Sequence, residues 1–308
     1  MASAKDLKKK IRAVTNTKKI TRTMELVATA KAKRAQDRVT ATTPYTQALS
    51  SILGSLSATG TVKHKLFETP VPEKGGLAKT LVIAISANRG FCGGYNSNVL
   101  SLTERTIKGV QAEKKTVETW MFGKKGASRF RYSKIPVEKS FIDFEKWTSF
   151  ADAEAVGDEI LAAFMAGKLE RVLVVYTKYY SSGVQKPAVA QLLPIVPVGA
   201  SATGAAQKSD AEKKVDAKAA PHGVEFIFEP GPREILDALL PLSVKTAFYR
   251  IVLESITGEH IARRVAMKTA TDNAEEMTKY YTRFYNRTRQ ASITQQINEI
   301  VSGANALE

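Results

Sequence analysis

The sequence predicts a protein of the α/β class, in which a long antiparallel coiled coil of N- and C-terminal helices is joined to a separate α/β domain. Three observations lead to this prediction. Each end of the chain contains a segment of roughly 40 residues without Gly or Pro. Between these two segments, apolar β-rich runs alternate with helical patterns, as in sheets whose faces are covered by helices.

The first uninterrupted segment covers residues 2–43, and nothing in it is expected to end a helix. At 1.5 Å per residue, a helix of this length would extend for about 60 Å. Spacings of three and four, interrupted around Lys18 and Thr21, predict a face that packs on a partner helix. We therefore predict an N-terminal shaft helix within residues 1–60. The stripe consists of Leu7, Ile11, Val14, Thr17, Met24, Val27, Ala28, Ala32, Ala35 and Val39.

The second uninterrupted segment covers residues 259–302 and lies within a predicted C-terminal shaft segment, residues 231–308. Its length matches that of the first segment, which favours an antiparallel coiled coil of the two termini. Two successive stripes with 4-3-4-3 spacing are expected to form its packing face. They are Met277, Tyr281, Phe284, Thr288 and Ala291, followed after a phase shift by Ile293, Ile297, Ile300, Ala304 and Leu307.

The central residues 78–230 are predicted to form a Rossmann-like α/β domain, because short β-branched runs alternate with amphipathic stretches. A low-complexity segment, residues 199–223, contains almost no large apolar residue and is expected to be a surface loop. Strands are expected at 80–86, 116–122, 171–180, 189–196 and 224–228, helices at 96–113, 150–166 and 233–240, and a turn at 230–232.

Composition limits the class of protein further. The chain has 308 residues and a net charge of +16, which implies a negatively charged partner. Its first 60 residues contain twelve Lys and Arg against three acidic residues. No run approaches the roughly 18 consecutive apolar residues of a membrane span, and the N-terminal residues do not resemble a signal or transit peptide. With Cys92 as the single cysteine, a reducing bacterial cytoplasm is expected.

A glycine-rich loop, residues 86–96, lies between a predicted strand and a predicted helix, which is where many phosphate-binding loops occur. It matches neither the Walker A pattern nor the dinucleotide-binding fingerprint. We interpret it as a structural turn whose glycines allow tight packing. A nucleotide-using α/β enzyme built on this loop is the alternative.

The sequence gives little support for a catalytic cysteine, a metal site or a nucleic-acid-binding surface. Cys92 is expected to be a buried small thiol, because no histidine with a recognisable signature accompanies it. The three histidines are scattered and lack the spacing of a metal site. The basic N-terminal helix has no aromatic residue before Tyr45 on which bases could stack, which disfavours nucleic-acid binding. A basic nucleic-acid-binding coiled coil is the second alternative. No catalytic residue, cofactor site or metal ligand is predicted.

Four stretches resemble the family of F-type ATP synthase gamma subunits of bacterial type. The C-terminal residues 286–307, NRTRQASITQQINEIVSGANAL, are similar to the family's C-terminal signature, and residues 266–274, AMKTATDNA, to the block before it. Residues 11–24, IRAVTNTKKITRTM, continuing through 27–31, are similar to the family's N-terminal helix. Residues 89–96, RGFCGGYN, resemble its first loop. The resemblance extends over essentially the full length.

This resemblance implies a non-catalytic rotor shaft that couples proton translocation to ATP synthesis and hydrolysis. Its partners would be three alpha and three beta subunits, an epsilon subunit and the membrane c-ring, with no nucleic acid and no membrane span of its own. The implied location is peripheral, on the cytoplasmic face of the bacterial inner membrane. Arg289, Gln290 and Thr294 match the family positions that contact loops of the catalytic ring, and Arg263 and Met24 match positions implicated in coupling. The basic N-terminal helix, which includes Lys31 and Lys33, would then face acidic lever segments of beta.

The chain departs from the family pattern at two positions and in one loop. Gln296 stands where the family usually has Glu, and Arg264 stands where it usually has Met. The first change removes a charge from the expected contact region, and the second adds one. Residues 199–223 occupy the place of a cysteine-containing regulatory insert in photosynthetic members. They contain no cysteine, so a thiol switch is excluded.

Overall fold

The computed structural model describes residues 4–58, 64–70, 79–146, 149–195 and 231–305. The loop predicted at 199–223 and the strand predicted at 224–228 therefore lie outside the described residues. Two compact units are present, one formed by Met1–Ala30 with Ala262–Glu308 and the other by Lys31–Ile261. We call them unit 1 and unit 2. The division into residues 1–60, 78–230 and 231–308 that the sequence suggests stays a prediction.

Two long helices, α1 (Ala4–Ala58) and α5 (Pro232–Asn305), contribute to both units. Each continues through an internal proline, Pro44 in α1 and Pro241 in α5. The separate helix predicted at 233–240 is therefore the first part of α5. The turns on either side of Pro241 carry the buried residues Leu240, Val244 and Phe248, and burial of this face outweighs the local cost of a proline.

Unit 2 contains a five-stranded sheet with the strand order β3-β2-β1-β4-β5. Strands β1 to β4 are parallel, and β5 pairs with β4 in the antiparallel direction. This arrangement confirms the predicted α/β class. The strands are β1 (Lys79–Ile85), β2 (Thr116–Phe122), β3 (Lys139–Phe141), β4 (Leu169–Tyr179) and β5 (Gln185–Leu193).

Helices cover the sheet on both faces, and their bounds are α2 (Tyr95–Ala112), α3 (Lys124–Tyr132) and α4 (Phe150–Met165), with a 3-10 turn at Asp143–Lys146. The predicted helices at 96–113 and 150–166 are confirmed to within one residue at each end. Sequence patterns missed α3 and β3. Both are short, and α3 is largely basic, so neither gives a clear apolar period; α3 is held by Phe130, which is fully buried.

Successive residues of β1 face opposite sides of the sheet and enter two different cores. Ile83 and Ile85 belong to the larger core, together with Phe122 of β2 and Phe248 of α5. Val82 and Ala84 belong to the smaller core, which α2 and α3 cover. Both faces are apolar, which is why β1 reads as a continuous hydrophobic run. Over the described ranges, no helix is both long and apolar enough to cross a bilayer.

Candidate functional site

The glycine-rich loop after β1 is closed by hydrogen bonds. The Asn96 side chain accepts from the Ala87 amide at 2.9 Å, and Asn88 accepts from the Lys124 amide at 3.0 Å. Ser86 Oγ accepts from the Gly126 amide at 2.9 Å. Two backbone amides at the start of α3 therefore donate to side chains of the loop. In a phosphate-binding loop, such amides would instead donate to the bound phosphate.

The space beside the end of β1 is filled by protein side chains. Tyr95, the first residue of α2, is buried, and its hydroxyl lies 2.7 Å from Ser255 Oγ of α5 and 3.4 Å from the Ile85 carbonyl oxygen. Nucleotides bind doubly wound domains outside the carboxyl ends of the strands, where the strand order reverses. Here the strand order reverses at β1, which lies between β2 and β4. Helix α5 covers the carboxyl end of β1. This packing disfavours the nucleotide-enzyme alternative.

The glycines of this loop differ in role. A Cβ atom on Gly94 would lie 3.3 Å from Asn98 Nδ2, which agrees with the predicted tight packing, whereas one on Gly90 would meet nothing nearer than 3.9 Å. Gly93 instead has a φ of 56°, a left-handed conformation that glycine adopts without steric cost. The expectation for Cys92 is confirmed, since the thiol is 2% exposed and accepts a hydrogen bond from the Asn96 side chain at 3.2 Å. Among the described residues, no group of three or more acidic, His or Cys side chains could hold a metal ion.

Unit 1 consists of the N-terminal part of α1 and the C-terminal part of α5, and three contacts show that they run antiparallel. Lys18 Nζ lies 2.9 Å from Glu275 Oε2, and Thr271 Oγ1 donates to Thr21 Oγ1 at 2.9 Å. Lys10 Nζ lies 5.9 Å from the ring centroid of Tyr281. Residue numbers rise on one helix as they fall on the other, which confirms the predicted antiparallel coiled coil.

Among the buried and half-buried positions of unit 1, one series on each helix repeats with 4-3 spacing, as in a heptad seam. Lys18 and Thr21 belong to this seam, although the sequence pattern treated them as an interruption. Thr17 and Val27, placed in the stripe by sequence, are exposed. We call the following fourteen positions the seam: Leu7, Ile11, Val14, Lys18, Thr21, Glu25 and Ala28 on α1, and Met267, Thr271, Ala274, Thr278, Tyr281, Tyr285 and Thr288 on α5.

The predicted stripes of α5 are only partly correct. Tyr281 and Thr288 lie in the seam, but Met277 and Phe284 are 46% and 41% exposed. Every residue from 289 to 305 is exposed, including Ile293, Ile297 and Ile300 at 43%, 53% and 71%. The second stripe is therefore wrong as a seam with α1. We call residues 289–305 the tip.

The tip is amphipathic. At 100° per residue, Ile293, Ile297 and Ile300 share one face, and Arg289 and Gln290 lie on the same side. The opposite face carries Ala291, Gln295, Asn298 and Ser302, which are small or polar. A helix with one exposed apolar face is suited to bind a complementary protein surface.

The predicted contact residues fall into three groups. Arg289, Gln290 and Thr294 lie close together on the tip and are exposed. Met24 and Arg263 belong to the paired part of unit 1, where Met24 is half-buried and Arg263 is only 9% exposed. A side chain as buried as Arg263 acts mainly within the chain. The sequence could not distinguish it from the exposed arginines, because burial depends on the partner helix.

Lys31 and Lys33 form the third group and belong to unit 2, where both are exposed. Lys33 Nζ lies 2.9 Å from Asp37 Oδ1, one helical turn away. This hydrogen bond, with the attraction of the Asp37 charge, raises the pKa of the Lys33 ammonium. The Asp37 carboxylate therefore offsets the charge of Lys33. Lys31 makes no such ion pair with another described residue.

Glu275 gives unit 1 a small, acid-sensitive contribution to stability. Its hydrogen bond from Lys18, and then one from Lys279, lower the pKa of the Glu275 carboxyl below its ordinary value. A lowered folded-state pKa stabilises the fold above the unfolded pKa, and this contribution disappears as the pH falls through the folded value. We expect Glu275→Gln to lower the melting temperature at pH 7 and to have no effect at about pH 2, below the ordinary range of carboxyls.

The measurement is a pair of thermal melts followed by circular dichroism at the two pH values. Because both partners are partly exposed, the difference at pH 7 should shrink in high salt. Glu276→Gln is the control, since this neighbouring side chain is exposed. An equal effect of Glu275→Gln at both pH values would show that the ion pair is not its cause.

The model of the family described as ATP synthase matches residues 3–307. ATP synthase gamma chains of Leptospira biflexa and Gemmatimonas aurantiaca are both 40% identical to this chain, over 307 and 309 residues, with 100% of each chain covered. Similar structures include a chain of Euglena gracilis mitochondrial ATP synthase in rotational state 3, with a TM-score of 0.62, 19% identity, and coverage of 99% of this chain and 94% of that one. A chain from the central stalk and c-ring of Tetrahymena thermophila mitochondrial ATP synthase has a TM-score of 0.54 and 18% identity, and covers 82% of this chain and 99% of that one.

Proposed function

Because this chain belongs to the ATP synthase family, and within it to the gamma chains, we propose that it turns as the central shaft of the enzyme and couples proton flow to nucleotide chemistry on other subunits. A gamma chain is a non-catalytic stalk subunit. Its contribution is mechanical, so it needs a stiff element and surfaces that contact the catalytic subunits unequally. The observation that carries the proposal is the antiparallel coiled coil of unit 1 with its exposed amphipathic tip.

The coiled coil suits the transmission of torque. In unit 1, α1 and α5 pack along a seam of fourteen positions, with no loop inserted between residues 4 and 28 or between 262 and 288. A packed seam resists shear because a relative movement of the two helices would break many contacts at once. As the shaft turns, it would present a different side to each beta subunit and would shift the conformational equilibrium of each catalytic site in turn.

The tip supports contact with the ring of alpha and beta subunits. Three isoleucines on one face are exposed within this chain, and they would gain free energy by entering an apolar sleeve. Arg289 and Gln290 share that side, and Thr294 lies beside it. We assign these three residues to ring contacts. Lys31 and Lys33 are assigned to acidic segments of beta, where complementary charge would set orientation.

Met24 and Arg263 are assigned a different role, because both lie in the paired part of unit 1 and Arg263 is buried. They would affect coupling by holding the two shaft helices in place. The remaining proposed partners are an epsilon subunit and the membrane c-ring. The proposed location is the cytoplasmic face of the bacterial inner membrane, where the chain would be peripheral.

The test is co-expression of this chain with the alpha and beta subunits of its own organism. We expect one assembly to copurify, with ATP hydrolysis that depends on the gamma chain. Deletion of residues 290–308 should remove incorporation, since it removes most of the tip and leaves the seam intact. A free monomer without effect on hydrolysis would contradict the proposal. A steep salt-dependent mobility shift on DNA would then favour the nucleic-acid alternative.

A further inference from the structure

Helices α2 and α3 lie side by side and cover the smaller core of unit 2. Their outward sides are strongly basic. The two helices contain one acidic residue, Glu104, and its carboxylate lies 3.6 Å from Nε of Arg129. Residues 124–134 contain five Lys and Arg and no acidic residue. We call the following eight exposed side chains the basic face: Arg105, Lys108, Lys114, Lys124, Lys125, Arg129, Arg131 and Lys134.

The opposite side of unit 2 has the opposite charge. Helix α4 packs on the larger core, and it contains four acidic residues and no basic one. Basic side chains of α5 and β3 offset part of this charge, since Lys245 pairs with Asp158 at 2.6 Å and Lys139 pairs with Glu159. A negatively charged surface would therefore attract unit 2 in one orientation, with α2 and α3 facing that surface.

Two lysines of the basic face occupy backbone positions that favour glycine. Lys114 and Lys134 stand just after the ends of α2 and α3, with φ of 57° and 56°. The amide of Lys114 donates to the Gln111 carbonyl at 2.9 Å, and that of Lys134 donates to the Arg131 carbonyl at 3.2 Å, as at many helix ends. In this left-handed conformation, a side chain costs free energy that glycine avoids.

Helix α4 provides an internal comparison. It ends in the same conformation, but with Gly167, whose φ is 69° and whose amide donates to the Phe164 carbonyl at 3.0 Å. The lysine at this helix end is Lys168, one position later, where it still lies near the negative end of the helix dipole without a left-handed backbone. The dipole alone therefore does not explain Lys114 and Lys134, and strained residues of this kind cluster at functional sites.

We infer that the basic face binds the headgroups of anionic phospholipids. Clusters of about four to eight Lys and Arg on an amphipathic helix attract such membranes, and each basic side chain near the surface raises partitioning roughly fivefold. Helix α3 is amphipathic, because Phe130 is fully buried while four basic side chains are exposed. Beside them, Tyr132 is 87% exposed, and tyrosine is enriched where a membrane meets water.

The composition of the basic face disfavours other anionic partners. Five of its eight members are Lys, which is depleted in protein interfaces, and such interfaces also need an apolar centre. Tyr132 is the one strongly exposed ring of α2 and α3, so bases of a nucleic acid would find little to stack on. Lipids exchange freely in a fluid membrane, so this binding is compatible with rotation. The inference concerns the isolated chain and does not depend on the proposed function.

The experiment measures sedimentation of the full-length chain with vesicles of phosphatidylcholine and phosphatidylglycerol, compared with vesicles of phosphatidylcholine alone. Two variants each replace three Lys and one Arg by Gln, so they lose the same charge. The face variant should partition roughly a hundredfold less into the anionic vesicles, and the control variant less than about fivefold less. The face variant carries Lys108→Gln, Lys124→Gln, Lys125→Gln and Arg131→Gln. The control variant carries Lys8→Gln, Lys9→Gln, Arg12→Gln and Lys19→Gln, all at exposed positions of α1.

Lys114→Gly with Lys134→Gly separates binding from stability. Glycine relieves the left-handed strain at both positions, so we expect the melting temperature of this double variant to rise. The loss of two charges should nevertheless lower its partitioning into anionic vesicles by roughly tenfold or more. Lysines with a purely structural role would change the melting temperature and leave the partitioning unchanged, and that result would overturn the role assigned to them.

A site-specific probe tests the orientation without changing any charge of the basic face. With Cys92→Ala as background, a fluorophore is attached through Ser128→Cys on α3 or through Ala155→Cys on α4, both exposed positions. Lipids that carry a quencher on the headgroup should quench the first probe and not the second.

Three results would overturn the inference. Equal losses of partitioning in the face and control variants would show that net charge alone is responsible. Equal quenching at the two probe positions would show that no particular side of unit 2 faces the membrane. Duplex DNA binding that the face variant loses, while its vesicle binding persists, would instead assign the basic face to a nucleic acid.

Discussion

Replacing Ile293, Ile297 and Ile300 together by Gln should weaken assembly with the alpha and beta subunits by about a hundredfold or more. Each isoleucine loses on the order of 1 kcal/mol of burial if half of its side chain enters the ring, and roughly 3 kcal/mol corresponds to a factor above 100 in affinity. The isolated chain should keep its stability, because all three side chains are exposed and Gln is compatible with a helix.

The measurement is a titration of the purified alpha and beta subunits with the variant chain, with restored ATP hydrolysis as the signal. Asn298→Gln with Ser302→Gln is the matched control. These residues lie on the polar face of the tip, and the change should alter the midpoint by less than threefold, about 0.6 kcal/mol. A triple isoleucine variant that assembles like the control would show that the apolar face does not contact the ring.

Gly123→Ala should destabilise unit 2 by about 3 kcal/mol or more, the largest effect expected of an added methyl group at any of the described glycines. Gly123 has a φ of 96°, which alanine adopts only with strain. A Cβ atom there would also lie 2.2 Å from the Ser86 carbonyl oxygen. That oxygen belongs to the backbone immediately after β1, so β1 and the start of α3 would have to separate.

Two other glycines, Gly126 and Gly109, serve as comparisons for Gly123. At Gly126 a Cβ atom would meet the Met121 sulfur at 2.3 Å and Ser86 Oγ at 2.5 Å, which are side-chain atoms that can partly move aside. Gly109, inside α2, has nothing within 4 Å of such an atom, and alanine there should stabilise the helix by up to about 1 kcal/mol. Urea unfolding followed by circular dichroism should rank Gly123→Ala below Gly126→Ala, and both below Gly109→Ala. Any other order would contradict the steric argument.

Elements that depend on local patterns were predictable from the sequence. The strand at Thr116–Phe122 was predicted with its observed bounds, since β-branched and aromatic residues are bounded there by a glycine and a basic turn. The helix at Phe150–Met165 begins after Ser149, whose amide donates to Asp152 at 3.1 Å in a capping box. The Gly- and Pro-free segments predicted parts of the two long helices, which themselves continue through Pro44 and Pro241.

Elements that depend on a distant partner were not predictable in this way. The sequence stripe placed Met277 and Phe284 on the packing face of α5, because both are large and apolar. In unit 1 the packing face instead contains Thr271 and Thr278. Which side of a helix is buried depends on the partner's side chains and on the register, and Thr271 meets Thr21 across 250 residues of sequence.

By itself, the sequence determined the α/β class, the two long terminal helices, four of the five strands of the described sheet and the resemblance to gamma subunits. The tertiary structure decided that Lys18 and Thr21 lie in the seam, that the isoleucines of the tip face outward, and that α5 continues through Pro241 into the covering of the sheet. The physical reason is that local and tertiary interactions act over different distances along the chain. Propensity and hydrophobic period act over a few residues, whereas burial is settled between surfaces that the chain brings together only on folding.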